Sequence, residues 1–326
     1  MNNRPYFIFS MDVEPDDQWN LSNNAFGLKN IDSLLRFKNL TNKHNIKPVY
    51  FIEYQVAKRS SFFEIFKNDI INNKCEIGLH MHIWSNPPYS DLCLKKNTRA
   101  FQTEIDNELF KEKFLNLKNV IKDKIAVDLI SFRAGRWAIN FDQLHILETN
   151  GIKVDSSITP GIDWSNTFGA TNIGGPNYLE CPTTPYFLDL SDLRKKGGVP
   201  ILECPVTIVE KKDIHNFYKL INIIPLSKIK KIANNKVWCR FYPKTKAKLL
   251  QSMGDFVNKN NLPYMHFMIH SSELSENTNP LYKTQNDINN LYNKFEQLFS
   301  WINKNQMQSI TLADFYYKLS SNKGLY

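Results

Sequence analysis

The chain has 326 residues, 42% of them hydrophobic and 13% aromatic, enough to bury a sizeable α/β core. It holds no apolar run of about eighteen residues, which argues against a transmembrane helix. The apolar start Tyr6–Met11 is cut short by Asp12 and Glu14, before it could serve as a secretory core, so a cytoplasmic protein is expected. Of the net charge of +9, the stretch Lys211–Leu250 carries +10, eleven Lys or Arg against the single acid Asp213, and leaves the rest near neutral. No nucleic-acid module accompanies that stretch, and a nucleic-acid partner is not expected. Five scattered cysteines without a Cys-x-x-Cys pair argue against a disulfide framework and read as buried reduced thiols.

Short runs rich in Ile, Val, Phe and Tyr predict strands at Tyr6–Val13, Val49–Tyr54, Cys75–His82, Ile130–Ala134, Ile152–Ile158, Ile201–Ile208, Tyr264–His270 and Ser309–Leu312. Between them, Ile105, Leu109, Leu117, Val120 and Ile121 follow a helical period. So do Ile288, Leu291, Phe295, Leu298 and Ile302, behind a candidate cap at Thr284 with Asp287 three residues on. The alternation favours an α/β layout with parallel strands. Long loops at about 84–94 and 160–200 read as binding loops.

Polar residues gather at the predicted strand ends. Asp12 and Glu14 are two apart, which on a strand puts both on one face. His80 and His82 repeat that step, and two imidazoles with a carboxylate and an open position form the pattern of a catalytic zinc site. Arg133 and Arg136 follow the fourth strand, where an arginine can hold a catalytic carboxylate ionised. Asp155 sits on the fifth strand and His270 ends the apolar run Phe267–Ile269, its ring reaching the rim. His266 reads as core, and His145 and His215 as structural or surface residues.

The ordered set Ser10-Met-Asp-Val-Glu-Pro-Asp, Glu76-Ile-Gly-Leu-His-Met-His, Phe132-Arg-Ala-Gly-Arg-Trp, Val154-Asp-Ser-Ser and Met268-Ile-His-Ser-Ser-Glu resembles the polysaccharide deacetylase family, the carbohydrate esterases with a NodB-type domain. The resemblance implies a distorted (β/α)7-type barrel as a single domain, here with a basic helical insertion at about 211–258. It also implies a divalent metal, usually zinc, held by Glu14, His80 and His82. Asp12 would be the general base, Arg133 its orienting partner and His270 the general acid. Asp155 is left to orient His270 or to bind substrate. Arg136, Trp84, Trp137 and Trp164 are candidates for substrate contact, the tryptophans either as sugar-stacking faces or as core.

Two departures are visible. A valine separates Asp12 from Glu14 where the family has adjacent aspartates, and the histidines are two apart instead of four, with Trp84 in the fourth place. They resemble a divergent branch associated with surface-polysaccharide synthesis. The expected function is removal of an N-acetyl or other acyl group from an amino sugar of a surface glycan or its activated precursor. A non-catalytic glycan-binding pseudoenzyme, a phosphate-binding protein and a hydrolase of another amide or ester are the alternatives. In the basic stretch, Phe217, Tyr218, Leu220 and Ile221 interleave with Lys219, Lys228, Lys230 and Lys231, a mixture suited to a diphosphate-linked sugar or an anionic membrane face.

Overall fold

The computed structural model describes residues 4–20, 26–95, 98–189, 191–218 and 236–321, without the side chains of 215–218. Eight strands form one curled sheet: β1 (Tyr6–Val13), β2 (Pro48–Ile52), β3 (Glu76–Met81), β4 (Ser131–Ala134), β5 (Val154–Asp155), β6 (Tyr186–Phe187), β7 (Leu202–Glu203) and, last in the chain, β10 (Tyr264–His270). The order is β10-β1-β2-β3-β4-β5-β7-β6, parallel throughout except for β6 against β7. A separate two-stranded antiparallel pair, β8 (Ile208–Glu210) and β9 (Lys236–Trp238), is tied to β10 through Thr207 N–H to His266 O at 3.0 Å and Met268 N–H to Cys239 O at 3.1 Å. The result is the distorted barrel that the family resemblance implies, with helices around a curled, largely parallel sheet.

The strand period of two sorts the residues. On β1, Phe7, Phe9, Met11 and Val13 belong to the large outer core beneath the helices, as do Ile77, Leu79 and Met81 of β3 and Met265, Phe267 and Ile269 of β10. The opposite face lines the barrel and changes character along its length. At the N-terminal ends Ile8, Val49, Phe51 and Tyr264 pack with Leu312 and Phe315 of the last helix, Leu312–Ser321, which closes that end. Further along, the inward series become Ser10, Asp12, Glu14 on one strand and His266, His270 on another. Apolar packing thus seals one end and leaves the C-terminal strand ends polar, where parallel barrels place their chemistry. Gly78 has to be glycine: a Cβ there would sit 2.5 Å from Ser131 Oγ and 2.7 Å from the Phe51 ring.

Some expected strands are shorter or absent. The run 201–208 divides into β7 and β8 around Pro205, which cannot donate to a ladder. Of 309–312 only a bridge from Phe7 to Ser309 remains. Thr311 Oγ1 accepts from Asp314 N at 3.1 Å and caps the helix, turning the chain out of extended structure. The helix Gln285–Lys304 starts where its capping box predicts, with Thr284 and Asp287 bonded reciprocally.

The loop after β3 is pinned from below. Lys113, fully buried on the helix Asn107–Lys122, donates from Nζ to the carbonyls of Ile83 at 3.0 Å, Asn86 at 2.6 Å and Pro88. A buried ammonium with three acceptors is satisfied despite losing its water. All five cysteines are free and buried. Among the described residues no helix is long and apolar enough to cross a membrane. The basic-segment residues Lys219, Leu220, Ile221, Lys228, Lys230 and Lys231 lie outside the described residues.

Candidate active site

The first group at the polar mouth is Asp12 with Arg133, both buried. Arg133 Nη1 donates to Asp12 Oδ1 at 2.7 Å. Its other nitrogens are spoken for: Nε to Ser156 O at 3.1 Å, and Nη2 to Ser10 Oγ at 2.9 Å and Ser156 Oγ at 3.0 Å. The guanidinium carbon lies 4.3 Å from the Phe51 ring centre and 5.2 Å from that of Trp137. Burial raises the pKa of Asp12, but Arg133, His80 and His270 outweigh it and hold the carboxyl below its usual range. Its free Oδ2 faces His80 Nε2 at 4.0 Å and His270 Nε2 at 3.9 Å.

The second group is Glu14, His80 and His82, all buried, with one ligand atom each lying within 4.8 Å of the others. His80 Nδ1 donates to the carbonyl of Arg133 at 3.0 Å, which leaves a lone pair on Nε2. That atom is 3.1 Å from His82 Nε2 and 3.6 Å from Glu14 Oε2, and His82 Nε2 is 3.0 Å from the same oxygen. A tetrahedral zinc with bonds of about 2.0–2.1 Å needs ligand atoms roughly 3.3 Å apart. The three edges bracket that length, and the N2O donor set with an open side fits a catalytic divalent metal. Burial works against the charge of Glu14, yet His270, His80 and His82 keep it ionised, its carboxyl well below the usual range. Burial pushes His82 down to about 4, against a weaker opposing pull from Glu14, so its ring is neutral and able to ligate.

His82 has no hydrogen bond at Nδ1 among the described residues. Its ring is placed by packing instead, between Trp84 at 4.4 Å and Trp19 at 5.4 Å, centroid to centroid. Gly135 completes the slot, since a Cβ there would strike the His82 ring and crowd Met81 O at 2.6 Å. The next two residues, Arg136 and Trp137, both take left-handed backbone angles, φ 57° and 59°. Non-glycine residues there cost energy, and such strain clusters at functional sites.

The third group is His270 with a partner that sequence reading did not assign. His270 Nδ1 lies 2.8 Å from Glu273 Oε1, which also accepts from the His270 backbone N–H at 3.2 Å and from Arg240 Nη2 at 2.6 Å. Burial opposes the charge on Glu273, but Arg240 and His270 outweigh it and lower its pKa. Burial also works to lower His270, and Glu14 and Glu273 overturn it, so His270 is raised above its ordinary value and carries its proton more readily. The signal for Glu273 was present in the His-x-x-Glu spacing, three apart on a short 3-10 turn.

Asp155, expected to orient His270 or bind substrate, is committed elsewhere. It accepts from Ser157 Oγ at 2.6 Å and from Ser157 N at 3.3 Å, and it faces Glu203 across the β5–β7 pair. Burial raises both carboxyls, Glu203 far above its usual value with Asp155 adding to the effect, so the pair retains a proton. An unfolded glutamate loses that proton near pH 4.3, so stability falls as pH rises above this value, by up to about 1.4 kcal/mol per pH unit. Glu203→Gln removes the titration and is expected to gain stability relative to wild type from pH 5 to pH 8. Urea unfolding at both pH values measures it, and a pH-independent difference would exclude the retained proton.

Arg136 is likewise engaged. Its guanidinium stacks 3.7 Å from the Phe101 ring centre and donates to the carbonyls of Arg99 and, at 3.3 Å, Phe168, so it ties loops together. Trp137 and Trp164 are half-buried and meet a third tryptophan, Trp238 of β9, at 5.5 and 6.5 Å. Trp84 is buried, while Trp19, not singled out from sequence, is 42% exposed beside His82. His266 is core, with Nε2 2.9 Å from Ser10 Oγ, and His145 is exposed.

No protein-family model matches this chain, and no curated protein sequence does. Solved structures do. A structure described as a polysaccharide deacetylase from Mycobacterium smegmatis aligns over 99% of this chain and 92% of its own, with a TM-score of 0.59 at 12% identity. The 4-alpha-glucanotransferase from Thermococcus litoralis aligns over 97% of this chain and 40% of its own, TM-score 0.50 at 11% identity. The Xyl-CE4 domain of a multidomain xylanase from the hindgut metagenome of Trinervitermes trinervoides aligns over 98% and 92%, TM-score 0.43 at 11% identity. The chain therefore has the fold of the NodB-type polysaccharide deacetylases. Two activities appear among these likenesses, so activity has to be argued from the site.

Proposed function

We propose that this chain is a metal-dependent carbohydrate deacetylase, a hydrolase that removes an N-acetyl or other acyl group from an amino sugar of a surface glycan or its activated precursor. The observation that supports it best is the meeting of three differently tuned groups at one mouth. These are an ionised carboxylate on an arginine, an N2O ligand set, and a histidine held by a carboxylate, with Asp12 Oδ2 about 4 Å from two of the imidazoles. A divalent metal on Glu14, His80 and His82, zinc by its donors, would supply polarisation of the acyl carbonyl and acidify a water. Asp12 takes the water's proton at Oδ2, because Oδ1 is occupied by Arg133. His270 delivers a proton from Nε2 to the departing nitrogen, with Glu273 fixing the ring through Nδ1. Trp19, Trp137, Trp164 and Trp238 offer aromatic faces to a sugar. The same reading treats the chain as one barrel domain with a basic insertion at about 211–258.

Elemental analysis of wild type and His80→Ala, with acetate release from N-acetylated chito-oligosaccharides, tests this reading. About one equivalent of metal in wild type, lost together with acetate release in the variant, is expected. Wild type that holds no metal after reconstitution would favour the glycan-binding pseudoenzyme.

A further inference from the structure

A cavity of about 240 Å³ lies beside the proposed metal centre, lined by Phe26, Trp84, Tyr89, Cys93, Leu94 and Arg99. It is larger than the ~150 Å³ engineered cavity that accepts benzene. Trp84 is the partition between the two, its ring 4.4 Å from that of the ligand His82. Among the described residues Arg99 is the cavity's one charged lining residue, and it is only 7% exposed.

That arginine pairs with no carboxylate among the described residues. Its Nη2 donates to Asn20 O at 3.0 Å, and the Trp84 ring centre lies 5.3 Å from its guanidinium carbon. The residues left undescribed include no Asp or Glu, so none of their side chains supplies the missing charge. Two buried donors in this lining, Arg99 Nε and Trp84 Nε1, have no hydrogen-bond partner among the described residues, and Tyr89 Oη already donates to Ser85 O at 3.1 Å. Burial alone lowers the pKa of Arg99, with no carboxylate opposing it. A buried guanidinium with no carboxylate partner, beside an unpaired indole N–H, is costly. It is the arrangement that an incoming anion completes, since charge-assisted bonds are the strong ones.

We propose that Arg99 and Trp84 form an oxyanion subsite that takes a negatively charged group of the substrate, a phosphate or a carboxylate, while the acyl group lies at the metal centre. The inference rests on the deacetylase reading for what the anion is attached to.

Calorimetric titration of zinc-loaded protein with N-acetylglucosamine, N-acetylglucosamine 1-phosphate and glucuronate tests it. An anionic sugar is expected to bind at least about 10-fold more tightly than the neutral one, the scale of a charge-assisted bond. The phosphate winning points to a nucleotide- or carrier-linked sugar, and the carboxylate winning points to an acidic glycan. Arg99→Met should bring the ratio near one with metal content unchanged. If Arg99→Met does not fold, Trp84→Phe, which removes one N–H, should lower the ratio several-fold. His80→Ala should lose metal and keep the anion preference, so a failed metal site and a failed anion site give different results. No preference in wild type, or a preference that survives in the folded Arg99 or Trp84 variant, overturns the proposal.

Discussion

Arg133→Met is expected to cost about 3–5 kcal/mol of stability and to abolish acetate release, because it strands a buried carboxylate. Arg133 is fully buried and Asp12 nearly so, and their 2.7 Å contact is the charge balance of the barrel interior. With the guanidinium gone, burial becomes the dominant influence on Asp12 and its pKa rises. The group then folds protonated or pays to remain charged, and a protonated Asp12 cannot accept a proton from water. Ser10, Ser156 and His266 also lose a shared partner. Urea unfolding measures the stability term. Asp12→Asn with Arg133→Met removes both charges, and this double variant should be more stable than Arg133→Met alone while remaining inactive. An Arg133→Met protein within about 1 kcal/mol of wild type would show that the pair does not hold the barrel together.

The strands that carry the mouth were legible because each combines two local signals, an apolar outer row and a polar inner end. Tyr6–Val13 and Tyr264–His270 are found where alternation puts them. Residues 309–312 do not form a strand: the short alternation of Ile310 and Leu312 with Ser309 and Thr311 cannot separate a strand from a helix start, and the Thr311–Asp314 cap decides for the helix. The site shows the same division. Asp12 with Glu14, and His80 with His82, converge through a two-residue step that sequence displays. Contacts made by chain crossing are invisible in it. Nothing in the order of residues says that Asp155 is taken up by Ser157 and Glu203, or that Arg136 lies on Phe101. Nor does it say that Arg240, 33 positions from Glu273, reaches its carboxylate. Trp19 escaped notice because a lone tryptophan after a turn has no periodicity to mark it.

Glu273→Gln is expected to lower kcat by about 10²-fold at pH 8, with KM little changed and the alkaline limb of the rate profile moved to lower pH. The amide keeps an oxygen where His270 Nδ1 and Arg240 Nη2 donate, so the ring stays placed and only the charge is lost. Burial already favours neutral His270, and Glu14 and Glu273 keep it protonated against that pressure. Without the Glu273 charge its pKa falls, and less of the acid form remains at pH 8 to protonate the leaving nitrogen. At pH 5 to 6 more of the proton is retained, so the deficit shrinks. Arg240 would then be buried without its anion, which confounds stability with catalysis. Arg240→Met combined with Glu273→Gln removes that charge too. If the role is positioning and charging His270, the double variant recovers stability while its pH profile moves back toward wild type, because Arg240 itself lowers the pKa of His270 and its loss offsets the lost Glu273 charge. If Glu273 only ties down the turn after β10, the rate returns with the stability, and the acid has to be sought elsewhere at the mouth.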